Sequence, residues 1–273
     1  MKNHQILRIW WPSFSVPASD VWQALFDNRA LLQLPDHFQS SESETNDESD
    51  QWSELFRTAK SSGRWPAFIR YGQTTVWVSC TGVYLKSVGI VENSVLLDQW
   101  VRACKKLSFI QAWVADTEFA YWQSTSSITL HKNMGRYQVN APHRRATAWV
   151  EPFEIDTSRN PGREIRCGNY WQAVGSQMWL SDGFWIVLGK TLADFRLDAR
   201  FGHVERFDSD AIKISAALEP FSDESKREVM DALRQAVFGV APPTPWPIPL
   251  PLEARGPEWF QRKTGWFSRL FKS

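Results

Sequence analysis

The sequence predicts an α+β protein with a mainly antiparallel sheet, several packed helices and a proline-rich C-terminal arm that ends in an amphipathic helix. Residues 65–86 are rich in aromatic and β-branched side chains punctuated by glycine, which is typical of antiparallel strands. Helix-spaced apolar residues lie between such runs without a regular β-α-β alternation, which favours α+β over a doubly wound sheet. Residues 242–251 contain six prolines and precede a basic, aromatic segment.

Composition limits the classes of protein to which the chain can belong. Its 273 residues are 43% hydrophobic, which is enough to build a sizeable core. Thirty-one Lys and Arg residues face 30 Asp and Glu residues, so the net charge of +1 creates no global field that attracts phosphates. We therefore expect no nucleic-acid partner. The 16 tryptophans are the unusual feature of the composition.

The chain shows no targeting or membrane signal that we recognise. The opening segment MKNHQILRIWWPSF carries Arg8 within its only apolar run and Pro12 just after it, unlike a secretion signal. No stretch reaches the roughly 18 apolar residues of a membrane-spanning helix. We expect the protein to be cytoplasmic.

Two helices have clear end signals. Asn93 or Ser94 can cap a helix whose apolar residues recur at helical spacing up to Cys104. Ser222 can cap the last helix of the domain, and Gly239 is placed to end it. Strand-like runs are predicted at 108–115, 118–122, 127–130 and 147–153.

The predicted organisation is a single α+β domain over residues 1–240 and an arm over residues 241–273. In the terminal helix of the arm, Trp259, Trp266 and Phe267 share an apolar face, with Arg262 and Arg269 on the opposite side. Such a helix can dock on its own domain, bind a partner or lie on an anionic membrane. We prefer these alternatives in that order.

No catalytic motif is present, and the cysteines and histidines lack metal-ligand spacing. We therefore expect no cofactor and favour a protein that is not an enzyme. The alternative is a hydrolase in which a histidine works with a carboxylate as an acid and base pair. Its candidate residues are His131, His143, Asp116, Glu118 and Asp182.

Partner binding is the function that the tryptophans favour. Most of them fall in strand or helix patterns where burial explains them, but residues 169–185 form a stretch rich in polar and aromatic side chains. Tryptophan is enriched among the residues that dominate binding energy at protein interfaces. The predicted partner-binding residues are Trp171, Trp179, Trp185, Trp259, Trp266 and Phe267.

Two stretches, LLDQWVRACKKLSFIQAWVADTEFAYWQ at residues 96–123 and YWQAVGSQMWLSDGFWIVLGK at residues 170–190, resemble the cytoplasmic immunity proteins that bacteria pair with secreted toxins. The resemblance rests on overall character and carries over no functional residue. It implies a protein partner, a cognate toxin, that the chain binds tightly enough to block its active site.

Overall fold

The computed structural model describes residues 4–12, 16–41, 51–79, 81–88, 93–136, 143–145 and 153–239. The described residues confirm the α+β class, with seven α-helices and a large antiparallel sheet. The arm lies outside the described residues, and with it Trp259, Trp266 and Phe267.

The strands, in chain order, are β1 (His4–Trp10), β2 (Gln39–Ser40), β3 (Phe68–Tyr71), β4 (Thr74–Ser79), β5 (Gly82–Val88), β6 (Gln111–Asp116), β7 (His143–Arg145), β8 (Phe153–Ile155), β9 (Ile165–Cys167), β10 (Tyr170–Gln172), β11 (Gln177–Ser181), β12 (His203–Asp208) and β13 (Ala211–Ser215). The helices are α1 (Ala18–Asp27), α2 (Gln51–Ser62), α3 (Ser94–Ala103), α4 (Thr117–Ser124), α5 (Ile128–Asn133), α6 (Asp182–Val187) and α7 (Arg227–Phe238).

Nine strands form one sheet in the order β12-β13-β11-β6-β1-β5-β4-β3-β2, and every neighbouring pair is antiparallel. This sheet belongs to a compact unit that takes in the described residues up to Ser124 and from Asn160 onward. The described residues from Thr125 to Arg159 form a second unit, which contains α5 and the β7-β8 pair. The domain boundary at residue 240 stays a prediction.

The sheet buries side chains on both of its faces. In β1, Leu7 and Ile9 belong to one hydrophobic cluster, whereas Ile6 and Trp10 belong to the other. Because alternate residues of a strand point to opposite sides, these clusters lie on opposite faces. We call the side of Leu7 the first face and the side of Trp10 the second face.

Different helices contribute to the two clusters. Buried side chains of α1, α2 and α3 join the first-face cluster, among them Trp22, Trp52 and Trp100. Buried side chains of α6 and α7 join the second-face cluster, as Phe184 and Met230 do. Core packing therefore explains many of the tryptophans.

Two of the predicted strands are helices. Residues 118–122 belong to α4, where the Asp116 carboxylate accepts a hydrogen bond from the Phe119 amide at 2.8 Å. Residues 127–130 begin α5, where the Ser127 hydroxyl accepts from the Leu130 amide at 3.2 Å. The aromatic and β-branched content of the two segments favours strands. Both segments are nevertheless helical, because the Asp116 and Ser127 side chains cap their first turns.

The two well-signalled helices are present. The Asn93 side chain caps α3 through the Leu96 amide at 2.9 Å, as predicted. A 3₁₀ turn capped by Asp223, rather than Ser222, leads into α7. Gly239 ends α7 with a φ of 71°, a left-handed conformation that favours glycine.

Arg234 of α7 holds the segment that leads into and out of the β9-β10 hairpin. Its side chain is buried and donates to the carbonyl oxygens of Pro161 at 2.8 Å, Arg163 at 2.9 Å and Gln172 at 3.2 Å. Burial lowers the pKa of Arg234 to about 10, which still leaves the guanidinium charged at neutral pH. One side chain thus satisfies three backbone acceptors from both sides of the hairpin.

Replacing Arg234 should destabilise the fold strongly. In Arg234→Ala the three carbonyl oxygens lose their donor, and we expect the free energy of unfolding to fall by roughly 3 kcal/mol. Urea denaturation followed by circular dichroism measures this change. The exposed Arg64 provides the control, because Arg64→Ala should change stability by less than about 0.5 kcal/mol. Equal stability of the two variants would contradict the anchoring role.

Candidate functional site

The candidate site is built on the β9-β10 hairpin, which packs against the second face. Cys167 pairs with Tyr170, so the turn consists of Gly168 and Asn169. Gly168 has a φ of 61°, which residues with a side chain rarely adopt and which a tight hairpin turn requires. Tyr170 and Trp171 pack against the second-face cluster.

Gln111 of the central strand β6 fixes the hairpin through two hydrogen bonds. Its side-chain Nε2 donates to the Trp171 carbonyl at 2.8 Å, and its Oε1 accepts from the Trp171 amide at 3.0 Å. Gln111 is fully buried. The amide therefore takes the place of a neighbouring strand and satisfies both backbone groups of Trp171.

Three tryptophans meet beneath the hairpin. The Trp171 ring is 5.6 Å from the Trp10 ring in a T-shaped arrangement and 6.3 Å from the Trp113 ring. Trp10 also donates its indole N–H to the Asn169 carbonyl at 3.4 Å. Edge-to-face geometry is the arrangement that the aromatic quadrupole favours.

Charged groups surround these rings. The Glu164 carboxylate accepts from the Trp113 indole at 2.8 Å and forms an ion pair with Arg8. The Arg8 guanidinium lies 5.8 Å from the Trp113 ring centroid, and that of Arg166 lies 5.1 Å from the Trp10 ring centroid. Both separations fall within the range of a cation–π contact. We call Arg8, Trp10, Trp113, Glu164, Arg166 and Trp171 the tryptophan–arginine cluster.

The hairpin is partly open to solvent. Ile165 is 38% exposed, Arg166 is exposed, and Trp171 remains half-buried. Aromatic and arginine side chains held on a rigid support are the groups that dominate binding energy at protein interfaces. The hairpin is therefore suited to recognition of another surface.

The structure separates the three described tryptophans that were predicted to bind a partner. Trp179 is fully buried on the first face, where its indole donates to Asp98 at 2.9 Å. Trp185 is 2% exposed and contacts the rings of Phe184 and Phe195. Trp171 keeps part of its surface in solvent, so it is the member of this set that a partner reaches without rearrangement of the core.

His131 and Asp116, two of the residues proposed for acid–base chemistry, have hydrogen-bond partners nearby in the chain. His131 is buried, and its Nε2 lies 3.0 Å from the Thr125 carbonyl oxygen. Asp116 caps α4, which also contains Glu118, and Asp182 lies in the first turn of α6. The side chain of His143, the fifth candidate, lies outside the part of the chain that the structure describes.

The described part of the chain holds no group of three His, Cys, Asp or Glu residues arranged to bind a metal ion. Within the same ranges, no helix combines the length and apolar character needed to cross a bilayer.

Sequence reasoning missed Arg8, Gln111, Glu164 and Arg166 as members of the site. Arg8 and Glu164 are 156 positions apart in the chain, so no local pattern connects them. Gln111 gave a usable signal, because a glutamine within a strongly apolar run must find a hydrogen-bond partner when it is buried.

Neither a known protein family nor a curated protein sequence matches this chain. Among solved structures, a T6SS protein of Pseudomonas aeruginosa aligns with a TM-score of 0.45 and 11% identity, over 92% of this chain and 79% of that protein. That degree of similarity transfers neither a fold nor a function to this chain.

Removing the Gln111 amide should loosen the hairpin. In Gln111→Leu the Trp171 N–H and C=O lose their hydrogen-bond partners, and we expect the free energy of unfolding to fall by about 1–3 kcal/mol. The amide of Trp171 should also exchange with solvent faster, which hydrogen exchange followed by mass spectrometry detects. The matched control is Gln73→Leu, at an exposed position in the turn between β3 and β4. Unchanged exchange at Trp171 would show that Gln111 does not hold the hairpin.

Proposed function

We propose that this protein is a non-catalytic binding protein that acts as an immunity protein and neutralises a cognate toxin. The observation that carries the proposal is the β9-β10 hairpin, where Ile165 and Arg166 are exposed beside the half-buried Trp171. The partner contacts the solvent-exposed residues of this hairpin.

The way in which the hairpin is held supports recognition. Gln111 fixes its backbone, the Arg8–Glu164 ion pair lies at its base, and Arg234 binds the carbonyl groups on either side of it. A surface fixed before binding loses little conformational freedom on association, so more of the contact energy contributes to affinity. Tight inhibition of a toxin requires a binding surface that loses little conformational freedom on association.

The immunity assignment rests on the two stretches that resemble such proteins. Residues 96–123 supply Gln111 and Trp113, and residues 170–190 supply Trp171. The stretches therefore meet in the tryptophan–arginine cluster. An immunity protein of this kind acts in the cytoplasm on its own toxin.

The arm provides a second predicted contact for the same partner. Trp259, Trp266 and Phe267 would present one apolar face of the terminal helix. These residues are remote from the hairpin in the sequence, so removal of residues 257–273 tests their contribution independently.

A double substitution on the hairpin tests partner binding. The full-length tagged chain is used to capture its partner from a native lysate of the source organism, and we expect one stoichiometric protein. Ile165→Asp replaces an exposed apolar side chain by a carboxylate, and Arg166→Glu reverses an exposed charge. Together they should weaken capture at least about tenfold. Ile186→Asp with Arg64→Glu makes the same changes at exposed positions elsewhere and should leave capture unchanged.

Growth assays test the immunity role. Expression of the captured partner alone should arrest growth of a naive bacterial host, and co-expression of the native chain should restore it. The hairpin variant should fail to restore growth, while the control variant succeeds. Absence of a stoichiometric partner, or capture of a harmless one, would overturn the proposed function.

A further inference from the structure

Strands β3, β4 and β5 carry a row of aromatic side chains on the second face of the sheet. Phe68 of β3 is the register partner of Trp77 of β4, which is in turn the partner of Tyr84 of β5. Tyr84 pairs with Arg8 of β1, a member of the tryptophan–arginine cluster. Register partners on adjacent strands project to the same face, so these side chains form a continuous row.

Basic residues flank the row. Arg70 and Lys86 are both register partners of Thr75, which places each of them two residues from the row along its strand and on the same face. The Arg70 guanidinium lies 5.6 Å from the Phe68 ring centroid. The sequences of β1, β3, β4 and β5 contain three Lys or Arg residues, these two and Arg8, and no acid.

The two faces of these strands differ sharply in exposure. On the first face Ile69, Val76 and Val83 are fully buried. On the second face the three aromatic side chains of the row and Lys86 are only partly buried, and Arg70 is exposed. Bulky aromatic rings left partly in solvent, next to cations without neighbouring acids on these strands, are characteristic of a surface that receives another molecule.

We propose that this aromatic–basic face, defined by Phe68, Arg70, Trp77, Tyr84 and Lys86, docks an acidic protein surface. The proposal rests on the proposed function and extends it, since it gives the partner a chemistry: carboxylates opposite Arg70 and Lys86, and apolar side chains on the aromatic row. Charge complementarity of this kind determines which partner is accepted.

The charges favour an acidic protein over a nucleic acid. Strong nucleic-acid binding neutralises many phosphates, and a net charge of +1 offers no global attraction for them. Arg8 is already paired with Glu164, whereas neither Arg70 nor Lys86 has an ion-pair partner among the described residues. Two cations and three rings suffice for a protein interface, in which a few central residues supply most of the affinity.

A charge-reversal pair tests the proposal. Full-length Arg70→Glu with Lys86→Glu is compared with Lys60→Glu with Arg64→Glu, which makes the same charge change at exposed positions in and beside α2. The probes are a random copolymer of glutamate and tyrosine, single-stranded oligothymidylate and the captured partner. We expect the native chain and the control to bind the copolymer in a salt-sensitive manner, and the charge-reversal variant to bind at least about tenfold more weakly.

A milder pair, Arg70→Gln with Lys86→Gln, should give an intermediate loss, and circular dichroism checks that each variant is folded. Equal binding of the copolymer by the native and charge-reversed chains would overturn the proposal. Tighter binding of oligothymidylate than of the copolymer would also overturn it and identify a nucleic-acid platform. If the captured partner responds to the hairpin variant but not to the charge-reversal pair, this inference fails while the proposed function stands.

Discussion

Burial of β6 on both faces is the constraint from which much of the structure follows. All six residues from Gln111 to Asp116 are buried, so each polar group on this strand must find a partner within the protein. Gln111 satisfies the backbone of Trp171, Trp113 donates to Glu164, and Asp116 caps α4. The hydrogen bonds of the buried polar groups of β6 thus help to fix the positions of the hairpin and of α4.

The first face shows the same principle applied to charge. Lys213 is 5% exposed, and its ammonium group donates to Asp98 at 2.8 Å, while the same carboxylate oxygen accepts from the Trp179 indole. A buried ion pair contributes little to stability overall, but loss of one partner leaves an uncompensated charge in the core. The pair therefore restricts how α3 can pack on the sheet, because another register of the helix would separate Asp98 from both of its donors.

Local signals identified the elements that depend on local interactions. Asn93 and Gly239 act within one turn of their own positions, so the start of α3 and the C-terminal end of α7 could be predicted closely. The aromatic segment at 118–122 was wrongly assigned to a strand because its composition suits a pleated surface, whereas a preceding carboxylate starts a helix there. Propensity is weak evidence where a cap contradicts it.

The candidate site was less accessible to sequence reasoning because it depends on pairs remote in the chain. The tryptophans of residues 169–185 led to the prediction of a binding face there. Trp171 and Trp179 nevertheless differ in exposure, because exposure depends on tertiary position and not on local sequence. Trp179 lies in β11, between β6 and β13, whereas Trp171 lies in a hairpin added to the sheet surface. Only the strand order distinguishes an interior strand from a covering one.

The pinning of the β9-β10 hairpin has a consequence for binding kinetics. A chain with a net charge of +1 gains little from long-range attraction, so its association rate should be the ordinary value of about 10⁵–10⁶ M⁻¹s⁻¹. The two hydrogen bonds between Gln111 and the Trp171 backbone hold the hairpin in place, so it need not reorganise when the partner binds or dissociates. High affinity in such a complex would come from a long residence time rather than from fast capture.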